Sequence, residues 1–205
     1  FATGAHVGRR GKVVTLASIL NPEGAVKVDL QILVDQLVLG ECGIPAHRPV
    51  VDQEGAIGLV INRSHSFLTC EEIFKELKIK YTPKASLLPI HIGGPVHMGE
   101  IFILHGPPFG WEGSLMVTPT LALSNTKDIL ESVAMGRGPK LYIVALGCAG
   151  WGPGQIESEI KENAWLTSPI DENIVFDMPI EERWEASLKK IWVDPALILN
   201  TSGHA

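Results

Sequence analysis

The sequence predicts an α+β fold: a mostly antiparallel or mixed sheet, or a small barrel, flanked by helices. Apolar segments of strand length and amphipathic helical segments are mixed along the chain without strict alternation. The strands expected over 87–119 are joined by short turns, which favours antiparallel pairing. The chain has 205 residues and 45% of them are hydrophobic, which suffices for the core of a single globular domain.

The N-terminal part of the chain is the hardest to assign. Apolar segments occupy 11–20 and 26–40, and the second fits neither the helical nor the strand period. Clear signals begin after Gly55 with a β-rich apolar strand at 56–62.

The other predicted strands share β-rich apolar composition and flanking turn residues, and they lie at 87–94, 100–106, 113–119, 140–147 and 173–177. The segment 140–147 is apolar on both faces, which is typical of a strand buried on both sides.

Four helices are predicted, over about 70–78, 125–135, 155–166 and 178–192. The first starts at a capping box formed by Thr69 and Glu72. Ser124 is placed to cap the second, and Gly136 supplies its left-handed end. The last carries acids early and lysines late, which suits the helix macrodipole.

Charge and cysteine content exclude several function classes. The net charge of −6 argues against general nucleic-acid binding, and the short basic cluster at 9–12 predicts a solvated tail. Three scattered cysteines without a CxxC pair make a disulfide framework improbable and favour a reducing compartment. With no spanning segment and no signal segment recognised, we expect a cytoplasmic protein without membrane association.

The stretch "LGCAGWGPGQ" (146–155) is the most distinctive glycine turn. It lacks the Lys-Ser/Thr of a P-loop and the spacing of a dinucleotide fingerprint, and acids in the following helix would repel an anion. We therefore expect a structural turn in which Trp151 covers apolar surface, with an aromatic binding platform as the alternative.

Two groups of residues are candidates for catalysis. Cys148 ends an apolar strand, where a buried inert thiol is the commoner situation, although a neighbouring cation could activate it. His91, His97 and His105 could in principle hold a metal, but two of them lie in apolar strands, where core histidines are common. We expect no metal site and no cofactor.

The segment "INRS" (61–64) places Asn62 and Arg63 at the end of a strand. A cation there could hold a carboxylate or phosphate in a cleft, or it could brace a neighbouring loop by bonding its carbonyl groups. The residues alone leave these alternatives equal.

Several motifs together resemble the YqgE/AlgH family of bacterial proteins: "GAIGLVINRS", "IGGPVHMGEIFILHG", "GRGPKLYIVALGCAGWGPGQIESEIKENAWL", "FDMPIEERWEASLKKIW" and the terminal "SGHA". The resemblance covers about 55–205. Ser64 replaces the usual proline of the family, and Cys148 often corresponds to an aromatic residue. Residues 1–50 lack the usual opening pattern, so we assign them as a divergent or unassigned segment and 51–205 as the family domain.

The resemblance implies a bifurcated sheet with a small barrel, surrounded by helices, in a cytoplasmic protein. It implies no established enzymatic activity, and some members are named as transcriptional regulators. The family's signature residues correspond to Asn62, Arg63, Gly93, Gly94, Pro95, Trp151, Gly152, Pro153, Gly154, Gln155, Glu157, Asn163 and Trp165.

We therefore expect a non-enzymatic binding or regulatory protein that acts without direct DNA binding on a small molecule or protein partner. The strand end at Asn62 and Arg63, the Gly93–Pro95 turn and the Trp151 turn are expected to converge on one face and bind the ligand. The ligand-contacting residues would be Asn62, Arg63, Gly93, Gly94, Pro95, Trp151, Gly152, Gly154, Gln155 and Glu157. The alternative is an enzyme that uses Cys148 or the three histidines.

Overall fold

The computed structural model describes residues 13–18, 30–34, 56–162 and 165–194, the first two ranges and Glu157 without their side chains. Ten strands are described: β1 Val13–Ser18, β2 Leu30–Val34, β3 Ala56–Val60, β4 Ser64–Thr69, β5 Pro89–Ile92, β6 Val96–His105, β7 Leu115–Thr118, β8 Leu121–Ser124, β9 Tyr142–Trp151 and β10 Trp165–Pro169. Five α-helices accompany them: α1 Cys70–Glu76, α2 Pro83–Ser86, α3 Lys127–Ala134, α4 Gln155–Lys161 and α5 Arg183–Lys190.

The strands form one sheet with the order β10-β1-β2-β3-β9-β6-β8-β7, from which β5 and β4 branch at β9. Every pairing is antiparallel except that of β5 with β9, so the predicted α+β class and mostly antiparallel sheet are confirmed. The expected small barrel is wrong. The end strands β10 and β7 do not pair with each other among the described residues, so the sheet stays open.

Strand β9 is the branch point of the sheet. Its residues 144–146 pair in parallel with β5, whereas 149–151 pair antiparallel with β3. Strand β6 runs along the other edge, from Ile101 opposite Leu146 to His105 opposite Tyr142. The sheet is therefore bifurcated, and β5 and β6 flank β9 rather than pairing with each other as their short connection suggested.

Two hydrophobic clusters cover the two faces of β9. Val144 packs with helices α1 and α3 through residues such as Phe74 and Ile129. Its neighbours Ile143 and Ala145 face the opposite cluster, which includes Val175. The alternation along β9 explains why its sequence is apolar on both faces, as predicted.

The segment 173–177 is not the predicted strand. It forms a π-helical turn, closed by a hydrogen bond from the Met178 N–H to the Asn173 carbonyl at 2.9 Å. Its adjacent residues Ile174 and Val175 are both buried, whereas a strand would direct them to opposite faces. The next predicted helix starts as a 3₁₀ turn, Ile180–Glu182, before α5.

Helix ends follow the predicted signals with two exceptions. Glu72 accepts the backbone N–H of Thr69 at 2.8 Å in the capping box of α1, and Gly136 has a φ of 68° after α3. Thr126, not Ser124, is the N-cap residue of α3, because Ser124 belongs to the unpredicted strand β8. The helix predicted over 155–166 ends at Lys161, because strand β10 begins at Trp165, and neither β10 nor β4 was predicted.

Candidate functional site

The turn that carries Trp151 is held by one carboxylate, that of Glu159 in α4. Its Oε2 atom accepts hydrogen bonds from the indole Nε1 atoms of Trp151 at 3.0 Å and Trp165 at 2.7 Å. The two rings meet edge to face, with centroids 5.7 Å apart. A single acid therefore joins the end of β9, helix α4 and the start of β10.

Gln155 connects this carboxylate to the backbone of the turn. Its amide Nε2 donates to Oε1 of Glu159 at 2.8 Å, and its own Oε1 accepts the N–H of Gly152 at 2.9 Å. Gly154 has a φ of 71°, which glycine adopts without strain. A phosphate group approaching this turn would meet a carboxylate and an amide that is already bonded.

The electrostatics of Glu159 follow from these contacts. Partial burial raises the pKa of its carboxyl group, but hydrogen bonds from Trp165, Gln155 and Trp151 outweigh burial and lower the pKa below its ordinary value. The residue is therefore ionised at neutral pH, and its negative charge stabilises the hydrogen bonds that hold the turn. We call Trp151, Gln155, Glu159 and Trp165 the tryptophan brace.

Three glycines allow the chain to cross β9. A methyl carbon on Gly93 would lie 2.1 Å from the Gly147 carbonyl oxygen, and one on Gly94 would lie 2.3 Å from the carbonyl carbon of Cys148. Gly147 itself has a φ of 74°, and a methyl there would lie 2.6 Å from the Gly94 oxygen. The glycines of the "GGPV" turn thus serve backbone packing, and Gly147, which was not among the predicted site residues, belongs with them.

The strand end at Asn62 and Arg63 lies against this crossing. The Val60 N–H donates to the Gly93 carbonyl at 2.8 Å, and the Ile92 N–H donates to the Arg63 carbonyl at 3.1 Å. The Asn62 and Arg63 side chains are both half-buried. Two of the three segments predicted to converge are therefore in contact.

The third segment is elsewhere. Trp151 pairs with Ala56 at the start of β3, whereas Asn62 follows the end of that strand. Six residues of extended chain separate the two positions by roughly 20 Å. Pro95, Gly152, Pro153 and Gly154 are exposed, while Asn163 and the side chain of Glu157 lie outside the described residues.

Arg183 is a buried cation that the sequence reading missed. Its side chain is 5% exposed, and it donates from Nη1 to the Ile61 carbonyl at 2.6 Å and from Nε to the Met178 carbonyl at 3.0 Å. Arg183 thus performs the loop-bracing role that was one alternative for Arg63. The sequence gives no signal for this, because the residue sits among the charges that begin an amphipathic helix.

His91 completes the contacts of Arg183. Its Nδ1 lies 3.3 Å from the Val144 carbonyl and its Nε2 lies 3.2 Å from Nη1 of Arg183. Since the carbonyl requires a proton on Nδ1, Nε2 is the acceptor and the ring is neutral. Burial, followed by the Arg183 charge, lowers the pKa of His91 to about 4.

His105 takes part in a buried hydroxyl chain. Its Nδ1 bonds the Gly106 carbonyl at 2.7 Å, and its Nε2 lies 3.0 Å from Oγ of Ser124. Ser124 is in turn 2.8 Å from Oγ of the half-buried Ser114. The Ser124–His105 pair has the spacing of a nucleophile and its base, but both residues are 0% exposed and no substrate can reach them.

The remaining catalytic candidates are dispersed. Cys148 is buried, and its burial, with a smaller effect of the Glu100 charge, raises the pKa of the thiol to about 11. His97 is exposed and pairs with Glu100 at 2.9 Å. No cluster of three or more potential metal ligands occurs among the described residues, so His91, His97 and His105 do not form one.

No helix in the described part of the chain is long and apolar enough to cross a membrane.

Comparison with known proteins gives consistent matches. A family model described as AlgH-like (DUF179) matches residues 50–196. A UPF0301 protein of Desulforapulum autotrophicum is 46% identical over 154 residues, which is 75% of this chain and 82% of that protein. A UPF0301 protein of Thioalkalivibrio sulfidiphilus is 42% identical with the same coverage.

Solved structures agree with these matches. The solution structure of the AlgH protein from Pseudomonas aeruginosa superimposes with a TM-score of 0.71 at 31% identity, covering 94% of this chain and 95% of that one. The crystal structure of protein DIP2367 from Corynebacterium diphtheriae has a TM-score of 0.58 at 13% identity, covering 96% and 94%. The second likeness concerns the fold alone.

Proposed function

We propose that this chain, which belongs to the AlgH-like family, is a non-enzymatic binding protein of the cytoplasm with a regulatory role. It acts through recognition of a small molecule or a protein partner rather than by direct contact with DNA. The net charge of −6 supports the absence of direct DNA contact, because DNA binding depends on an excess of cationic side chains.

One observation carries the proposal: the reactive side chains of the core are buried and held in their neutral forms. The pKa of the Cys148 thiol is raised to about 11, and the pKa of His91 is lowered to about 4. Burial lowers the pKa of His105 as well, although its bond to the Gly106 carbonyl opposes this. A nucleophile or general base needs the opposite: an accessible group with a pKa near the working pH.

We further propose that ligand contact falls to Asn62, Arg63 and the exposed Pro95 next to the glycine crossing. Arg63 supplies a charge at the end of β3, while Gly93, Gly94 and the tryptophan brace hold the surrounding backbone. This division keeps the predicted binding role for the strand end and assigns Trp151, Gly152, Gly154 and Gln155 a supporting role.

The experiment compares wild type with Arg63→Ala and with a control, Lys75→Ala, which removes an exposed charge paired with Glu71 on α1. Each tagged protein is expressed in native cells, and co-purifying proteins and metabolites are identified by mass spectrometry. We expect a ligand or partner retained by wild type and by Lys75→Ala but lost from Arg63→Ala. Equal recovery with all three proteins would refute the assignment to the strand end.

A second measurement tests the non-enzymatic part. The native protein is treated with iodoacetamide at neutral pH, and labelling of Cys148 is compared with that of the urea-unfolded chain. We expect labelling only after unfolding, because the thiol is buried and protonated. Rapid labelling of the native protein would favour the enzyme alternative.

A further inference from the structure

A cavity of about 370 Å³ lies beside helix α2, between the C-terminal end of α3 and the first residue of β9. Thr82, Lys84 and Ala85 line one side and the connection 136–140 lines the other, with Tyr142 between them. The volume falls in the lower part of the range of small-molecule sites, roughly 300 to 1,000 Å³. None of the residues discussed above as a binding candidate contributes to it.

Three residues that line the cavity carry side-chain donors with no hydrogen bond or ion pair in the described part of the chain. They are Lys84 and Lys140, whose side chains are exposed, and the half-buried Tyr142. Burial, with a smaller effect of Cys70, raises the pKa of Tyr142, so its phenol keeps its proton at neutral pH. No carboxylate lines the cavity.

Three lysines on helix faces are arranged differently. Lys75, Lys127 and Lys189 each lie within 4 Å of a glutamate one helical turn away. Such pairs neutralise one another on an exposed helix face. Lys84 and Lys140 come from separate segments of the chain and share a concave surface instead.

The cavity walls are fixed by the backbone. The N–H of Thr82 donates to the Ala134 carbonyl at 2.9 Å, which ties the start of α2 to the end of α3. The connection packs closely on α3, since a methyl carbon on Gly138 would lie 2.8 Å from the Val133 side chain. The N–H of Gly136 donates to the Val133 carbonyl at 3.0 Å. A ligand would therefore meet a preformed site.

One feature opposes anion binding, because the negative end of the α3 macrodipole faces this region. A charge at a helix end contributes about 0.3–1 kcal/mol, and here the last carbonyls are already bonded to Thr82 and Gly136. The two ammonium groups at the cavity carry more positive charge than the roughly −0.5 charge of a helix C-terminus.

We propose that this cavity binds a small metabolite through a phosphate monoester group, with Lys84 and Lys140 on the phosphate oxygens and Tyr142 donating a third hydrogen bond. The proposal rests on the proposed function, since it names the chemistry of a ligand for a binding protein. A phosphate monoester carries about −1.5 to −2 charge at pH 7, which matches two ammonium groups. Ala85, Val133 and Pro139 are buried and form the apolar base of the cavity beneath these polar groups.

The probes are AMP and inorganic phosphate, titrated into the ¹⁵N-labelled full chain and followed by NMR shifts and calorimetry. The variants are Lys84→Ala/Lys140→Ala and the control Lys75→Ala/Lys127→Ala, which removes the same charge from exposed helix faces. We expect saturable binding of AMP, with shifts confined to residues around the cavity. Each cavity lysine is expected to contribute roughly tenfold to affinity.

The control should bind AMP as wild type does, and Tyr142→Phe should bind several-fold more weakly. Equal losses in both double variants, or no saturable shift at millimolar AMP, would overturn the cavity assignment and leave the non-enzymatic proposal standing. The ³¹P spectrum of the bound ester distinguishes failure of the cavity assignment from failure of the proposed function. Release of free phosphate would support ester binding in the cavity but refute the non-enzymatic function.

Discussion

Removing the charge of Glu159 should weaken the tryptophan brace measurably. In Glu159→Gln one side-chain oxygen becomes an NH₂ donor, which faces indole or amide donors instead of accepting from them. Three hydrogen bonds to the carboxylate are affected, from Trp151 at 3.0 Å, Trp165 at 2.7 Å and Gln155 at 2.8 Å. Bonds to a charged acceptor contribute about 1.5–3 kcal/mol each when buried.

The magnitude must be reduced because Glu159 is only half-buried and water competes for its oxygens. We therefore expect the free energy of unfolding at pH 7 to fall by about 2 kcal/mol in urea denaturation. The matched control is Glu131→Gln, which breaks an exposed pair with Lys127 on α3. That control should cost about 0.5 kcal/mol or less.

The pH dependence provides a second check. Burial raises the pKa of Glu159, but the three hydrogen bonds together lower it by more, so the folded-state pKa lies below the unfolded value of about 4.3. The stabilisation is therefore complete above that pH and is lost as pH falls through the folded-state pKa. The difference between wild type and Glu159→Gln should shrink at pH 3.5. A pH-independent difference, or one equal to that of the control, would refute the reasoning.

Three further predictions concern the crossing, the buried arginine and the surface. Gly147→Ala should lower the free energy of unfolding by roughly 2–4 kcal/mol, because its φ is 74° and the added methyl would lie 2.6 Å from the Gly94 oxygen. The control Gly150→Ala should change it little, since its methyl meets only Val96 at 3.9 Å. Similar losses of both variants in urea denaturation would contradict this. Arg183→Met should lower the free energy of unfolding by about 2 kcal/mol, because it leaves the Ile61 and Met178 carbonyls without their donor. The pKa of His91, followed by NMR, should rise from about 4, although burial still keeps it below its ordinary value. An unchanged His91 titration would show that the two groups do not interact. His97→Ala removes an exposed ion pair with Glu100 and should change the free energy of unfolding by about 0.5 kcal/mol or less. A larger loss would indicate a structural role for the left-handed backbone at this position.

Local signals in the sequence were sufficient where one physical effect dominated. The capping box at Thr69 and the apolar run of β9 both predicted their elements, because capping and two-sided burial leave a mark in consecutive residues. The strand prediction for 173–177 was wrong because its local signal fits more than one structure. Its β-rich composition reflects burial of Ile174 and Val175, which a π-helical turn provides equally well.

The sequence predicted only part of the candidate site, because the residues that contact one another there lie far apart in the sequence. The Gly93–Gly94 turn was recognised, but its partner Gly147 is identified only by a crossing of two strands. Arg183 is distant in sequence from Ile61, and no spacing rule connects them. The sequence indicates Glu159 only as one of the acids after the glycine turn that would repel an anion, although its carboxylate accepts hydrogen bonds from two indoles and an amide.

The residues discussed above support the branch of the sheet at β9. A strand that pairs with β5 along one segment and with β3 along the next must bend between them, and Gly147 provides that bend at φ 74°. The chain leaving β5 must also pass over the bend, which requires Gly93 and Gly94. The two ends of the branch then need separate support, from Arg183 beside Ile61 and from Glu159 beside Trp151. Because both supports are polar side chains fixed by hydrogen bonds, the branch accounts for the positions of Arg183 and Glu159 without a ligand, and the proposed ligand contacts at Asn62 and Arg63 lie beside these supports.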